Sequence, residues 1–257
     1  MRKVFKRLFI VIAMLYIILL IVAYFAQEQL LFNPDKLSES HVFRAGQEVE
    51  LEVAPEVSLN CIWIDNPRDH GVILYLHGNR GSNRRCLRQL LVYDGLGYDL
   101  FMPDYRSYGK SDGSMLSQRQ AYGDMQVVYD HLKEQYGEER IIVLGYSLGS
   151  AMASHLAATN TPKSLHLVAP YKSMIAMKNK FAPVVPSFLL KYPFRNDKNL
   201  ANVSCPVNLY HAPDDKLIPY NHGKSLSEIN PSFKFIDLPG SGHRGSIFND
   251  AVRRNMN

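Results

Sequence analysis

Cysteine is scarce. The chain has three, Cys61, Cys86 and Cys205, widely spaced and without a C-x-x-C pair. Three cannot all pair within one chain, and the spacing offers no zinc site, so they read as small buried hydrophobes. Acidic residues are absent from positions 1–26, where Arg2, Lys3, Lys6 and Arg7 supply four of the five net positive charges. The remainder carries only +1. A basic nucleic-acid surface is therefore not indicated, and no nucleic-acid partner is expected. Internal repeats are lacking, and so are low-complexity tracts beyond one apolar run.

That run is Leu8 to Ala26, 19 residues without a charge. As a helix it would rise about 28 Å, close to the roughly 30 Å of a bilayer's hydrocarbon core. It exceeds the apolar region of a cleaved signal peptide, and Ala23-Tyr24-Phe25-Ala26 is a poor cleavage site. The reading is an uncleaved signal anchor with the membrane as partner. The basic residues before it place the amino terminus in the cytoplasm and the rest on the far side, periplasmic in a bacterium. Residues 1–26 are then stub and anchor, 27–40 a juxtamembrane linker, and 41–257 one domain.

With 46% hydrophobic and 21% charged residues, a chain of 257 can build such a domain with a sizeable core. Strand patterns fall at about 48–53, 59–64, 70–76, 98–102, 140–144, 164–169, 206–210 and 233–238. Helical patterns fall at 82–96, 117–135 and 150–159, near Ser225, and at 246–254. This alternation predicts an α/β fold with a mostly parallel, doubly wound sheet, whose ligands bind outside the carboxyl ends of the strands. Residues 171–202 read as an irregular insertion, a short cap. Its apolar content is high (Met174, Ile175, Met177, Phe181, Val184, Val185, Phe188, Leu189, Leu190), and Pro183 and Pro186 rule out a long helix. It either shelters an acyl chain or simply covers the sheet.

Gly145-Tyr146-Ser147-Leu148-Gly149 lies between a strand pattern and a helix pattern. A serine there stands on a sharp turn with its hydroxyl exposed near a helix amino terminus, and the glycines permit the close approach. Ser147 is the candidate nucleophile. It needs a base, and His243, in Gly240-Ser241-Gly242-His243 after the last strand, is the best placed of nine histidines. A carboxylate must hold the imidazole tautomer. Asp214 and Asp215 both follow the preceding strand, and spacing alone does not choose between them. Asp104 reads as a structural ligand of loop amides, and Asp197 is a weaker candidate. Two backbone donors would hold an oxyanion: Leu148 N–H, and Asn79 N–H from the loop His77-Gly78-Asn79-Arg80-Gly81-Ser82.

The ordered segments LHGNRGS, FMPDYRSYGKSDG, GYSLGS, HAPDDKLIP and GSGH resemble the α/β-hydrolase superfamily over roughly residues 29–249. More narrowly, they resemble its small, amino-terminally anchored Bem-like branch, related to protein-depalmitoylating hydrolases. The resemblance implies a Ser-Asp-His triad and places the acid at Asp215, with Ile218 and Pro219 in register. Ser107 and Ala212 stand where the family usually has glycine. The implied protein is a membrane-anchored serine hydrolase. It would cleave carboxylic esters or thioesters through an acyl-enzyme on Ser147, acting on a substrate with an apolar acyl group and needing no metal or cofactor. Two alternatives are a serine aminopeptidase, for which the cap offers no acidic cluster, and a non-catalytic membrane-anchored binding protein. The sequence leaves the oligomeric state open.

Overall fold

The computed structural model describes residues 1–256. The chain opens with α1 (Arg2–Phe25), followed at once by α2 (Gln27–Leu31). α1 is long and apolar enough to cross a membrane. The body is an eight-stranded sheet of β1 (Gln47–Ala54), β2 (Val57–Ile64), β3 (Val72–Leu76), β4 (Asp99–Pro103), β5 (Ile141–Tyr146), β6 (Ser164–Val168), β7 (Val207–His211) and β8 (Lys234–Asp237). Its order is β8-β7-β6-β5-β3-β4-β2-β1. The six strands from β8 to β4 run parallel, and β2 and β1 complete one edge antiparallel.

Both faces of this sheet are covered, which is why its central strands are apolar without interruption. Side chains still alternate between the faces. Val72, Leu74 and Leu76 enter one core with Ile141 and Val143, whereas Ile73 and Tyr75 enter the other with Ile142 and Leu144. The covering helices include α3 (Asn83–Leu90), α4 (Gln118–Tyr136), α5 (Gly149–Thr159), α6 (Met174–Phe181), α7 (Asn196–Leu200) and α8 (Tyr220–Ser227). α4 starts at the Ser117 cap, whose hydroxyl accepts from Gln120 N–H at 3.1 Å, and stops at Gly137.

Three segments differ from expectation. The helix expected over 82–96 ends at Leu90 and tightens into one 3₁₀ turn, because Gly95 and Gly97 take φ of 82° and 90°. Residues 171–202, expected to be irregular, hold α6, a 3₁₀ turn at Ser187–Leu189 and α7. The segment after α1, expected as a linker, is seated on the body. Gln27 and Phe32 are buried, and Asn33–Pro34 pairs in parallel with Arg80–Gly81.

Candidate active site

β5 delivers Ser147 at φ 51°, in the left-handed region that residues with a side chain seldom occupy. The strain is held by close packing on both sides. A Cβ on Gly149 would lie 2.0 Å from Leu76 O, and one on Gly145 2.6 Å from Ala153 Cβ. Only glycine lets β5, β3 and α5 approach this closely. Ser150 Oγ donates to Ser147 O at 2.7 Å and fixes the turn from below.

Two other strand ends converge on this hydroxyl. His243 Nε2 lies 3.1 Å from Ser147 Oγ, and His243 Nδ1 lies 2.8 Å from Asp215 Oδ2. A carboxylate only accepts, so Nδ1 carries the proton and Nε2 faces the serine hydroxyl as acceptor. The Tyr146 hydroxyl donates to His243 O at 3.1 Å, and its ring stacks on the imidazole with centroids 5.5 Å apart. Asp215 also accepts from Leu217 and Ile218 N–H at 2.8 and 2.9 Å. Burial opposes its charge, but contacts from His211 and His243, and the Ile218 amide, outweigh that. The carboxyl is held well below the usual carboxylate range.

Asp214, the neighbour that spacing could not separate from Asp215, instead accepts from Gly240 N–H at 3.1 Å and supports the loop that carries His243. Asp104 is fully buried and accepts from Asn83 N–H through both oxygens, at 2.8 and 3.0 Å. Asp197 pairs with Arg195 at 2.7 Å, away from the serine. His211, which the sequence reading left unassigned, has Nε2 3.0 Å from Ile218 O and 3.5 Å from Asp215 Oδ2. Its position at the end of β7, four residues before the acid, was the one available signal.

Asn79 and Leu148 N–H have no acceptor among the described residues, and both residues flank the serine in one cavity. His77 Nδ1 donates to Gly78 O at 2.7 Å, and Tyr108 Oη donates to Asn79 O at 2.8 Å. With both carbonyls held, the peptide between them is fixed, and so is the direction of Asn79 N–H.

Ser147 stands between two cavities. One, of about 390 Å³, is apolar and lined by Met174, Met177, Phe181, Val185 and Leu189 of the cap together with Ala23 at the end of α1. The other, of about 770 Å³, is ringed by Arg80, Arg85, Arg88, Lys216 and Arg244, with Asp214 its sole acid. None of these five cations meets a carboxylate within ion-pair distance among the described residues. Net charge could not disclose this basin, because its cations lie up to 164 positions apart, from Arg80 to Arg244.

A strained serine after the fifth strand, an acid after the seventh and a histidine after the eighth define one class of protein. The chain belongs to the alpha/beta hydrolase fold family, whose model matches residues 71–205. Among curated proteins it is 31% identical over 196 residues to the lysophosphatidylserine lipase ABHD12 of Danio rerio, covering 68% of this chain and 50% of that one. It is 30% identical over 184 residues to the alpha/beta hydrolase domain-containing protein aho-3 of Caenorhabditis elegans, covering 69% and 53%. The chain thus spans about half the length of the curated relatives it matches. Among solved structures, the esterase Pf2001 of Pyrococcus furiosus superposes with a TM-score of 0.68 at 21% identity, covering 88% of this chain and 95% of that one. Est1E of Butyrivibrio proteoclasticus, with ferulic acid bound, gives 0.67 at 19%, covering 81% and 97%. At these identities the structural likeness speaks for the fold.

Proposed function

We propose that the protein is a membrane-anchored serine hydrolase that cleaves carboxylic esters or thioesters of a single acyl chain. The observation that carries this reading is the 3.1 Å and 2.8 Å relay from Ser147 through His243 to Asp215, opening onto an apolar cavity. Ser147 Oγ attacks the acyl carbon and its proton passes to His243 Nε2. Asp215 orients the resulting imidazolium and stabilises it. Asn79 and Leu148 N–H hold the oxyanion, each worth roughly a hundred- to thousandfold in rate. The bond to the leaving oxygen or sulfur breaks, and His243 returns the proton to it. Water then attacks the acyl-enzyme, gives its proton to His243, and releases a carboxylic acid as the serine is reprotonated.

The acyl chain occupies the apolar cavity and the leaving group faces the cationic basin, which suits an anionic leaving group. The curated relatives named lysophosphatidylserine lipases act, by that name, on a lipid of this form. A peptidase recognising a free α-amine would need acids where the substrate's amine binds. The apolar cavity has none among the described residues, and the basin has one acid against five cations. In this reading residues 8–26 cross the bilayer with the amino terminus cytoplasmic, and residues 41–257 work on the opposite side.

The test is labelling of the full-length protein with a serine-directed fluorophosphonate, alongside hydrolysis of p-nitrophenyl esters and acyl thioesters. Ser147→Ala should lose labelling and lower kcat by roughly 10⁶, with the fold intact by circular dichroism. Undiminished turnover in that variant would refute the reading.

A further inference from the structure

The apolar cavity is not closed by the catalytic domain alone. Ala23, Tyr24, Gln27, Leu30 and Leu31, from the end of α1 and from α2, form the side facing the cap. The partly covered positions on α1 are Ala13, Leu20 and Ala23, one face of the helix, and the cover continues just beyond it through Ala26, buried Gln27 and Glu28. The junction is specific. Gln27 Nε2 donates to Leu189 O at 2.9 Å, and Gln27 Oε1 accepts from Lys191 N–H at 2.8 Å. Glu28 pairs with Lys191 at 3.1 Å and accepts from the Tyr192 hydroxyl at 3.0 Å. Burial raises the Glu28 carboxyl, but these partners and a backbone hydrogen bond hold it below its ordinary value. Such contacts lock helix to cap, which a simple tether would not require.

The contact extends along α1. Tyr16 Oη donates to Val184 O at 2.8 Å, eight residues before Tyr24 and so about 12 Å further along the helix axis. On the anchored reading above α1 lies in hydrocarbon, so whatever lies beside its carboxyl half shares the leaflet. Phe181, Val184 and Phe188 are 61%, 60% and 83% exposed there. Three large apolar side chains on one short cap, next to a bilayer-spanning helix, suit lipid rather than water. Lys191 lies over the rings of Tyr24 and Phe25 at 4.4 and 5.6 Å, a cation and aromatics at the level expected of an interface.

We propose that α1 is a wall of the acyl site as well as an anchor, and that the cap tip sits in the adjoining leaflet. A single-chain lipid ester then passes its tail to Ser147 directly from the bilayer, through the seam between α1 and the cap. This rests on the hydrolase reading above. The lipid tail leaves one hydrocarbon phase for another, so the transfer carries no cost of exposing it to water. The ester reaches the serine at the polar end of the same cavity.

Full-length protein in phosphatidylcholine vesicles tests this in two ways. In Ala23→Trp the larger side chain fills the seam, and the ratio of kcat/KM for p-nitrophenyl palmitate to that for p-nitrophenyl acetate should fall at least tenfold. A ratio unchanged within twofold overturns the wall. In Ala23→Trp and Phe188→Trp, vesicles of brominated-chain phosphatidylcholine should quench the new indole well beyond the background from Trp63, the sole native tryptophan. Absence of extra quenching in both removes the leaflet contact. The quenching needs no turnover. A protein that is quenched but hydrolyses neither ester would refute the hydrolase reading and keep the seam.

Discussion

Ser147 and Ser107 both hold positive φ, 51° and 73°, for different reasons. At Ser147 the turn presents the hydroxyl, and Gly145 and Gly149 permit the packing that maintains it. At Ser107, where the family usually has glycine, the side chain makes one long 3.4 Å contact to Gly113 O. Left-handed backbone costs a non-glycine residue about 1–2 kcal/mol, and glycine's freedom in the unfolded chain offsets about 0.4–1 kcal/mol of any gain. Ser107→Gly should therefore stabilise the protein by about 0.5–1 kcal/mol, read by chemical denaturation. Ala212, the other departure, has no positive φ and is buried without strain, so glycine is not required there. Asp215→Asn should lower kcat by roughly 10⁴ on acyl esters, because an amide no longer enforces the Nδ1–H tautomer. Asp215 is depressed in the fold, so its charge stabilises the protein above its ordinary value of 3.8 and the benefit is lost as pH falls below that. The gap in Tm between wild type and Asp215→Asn should accordingly narrow as pH drops through that region.

At the scale of elements, the cap is tied to α5, the helix that follows Ser147. Asn196 is fully buried at the start of α7 and donates to Ser150 Oγ at 3.0 Å and Tyr171 O at 2.7 Å, while accepting from Ser154 Oγ at 2.6 Å. Asn196→Ala removes these three interior hydrogen bonds and leaves Tyr171 O without a donor among the described residues. It should cost about 1–3 kcal/mol by denaturant unfolding, with a larger loss of long-chain than short-chain ester turnover as the cap loosens. None of this was readable beforehand, because a polar residue in a stretch with three prolines looks like solvated loop. The strands were readable, because continuous apolar runs bounded by turns have few other uses. The helix at α3 was read too long, because its amphipathic pattern continues past Leu90 while Gly95 and Gly97 unwind the backbone.

For the whole molecule, the distribution of charge matters more than its sum. Beyond the amino-terminal stub the chain is nearly neutral, yet five cations without a carboxylate partner among the described residues ring the basin beside Ser147. Their attraction acts through partly solvated space and is screened by salt. For a substrate with an anionic leaving group, kcat/KM should fall several-fold between 0.05 and 0.5 M NaCl, chiefly through KM. For p-nitrophenyl butyrate it should stay within about twofold.

The fold class, the serine, the histidine and the apolar span were set by local pattern, since periodicity, turn chemistry and a five-residue motif are properties of neighbours in the chain. Proximity between distant segments decided the rest. It brought Asp215 rather than Asp214 against His243, gathered arginines from the turn after β3, from α3 and from the segment after β8, and laid the end of α1 along the cap. Those relations depend on how strand ends and helices are stacked in space, and no run of adjacent residues encodes them.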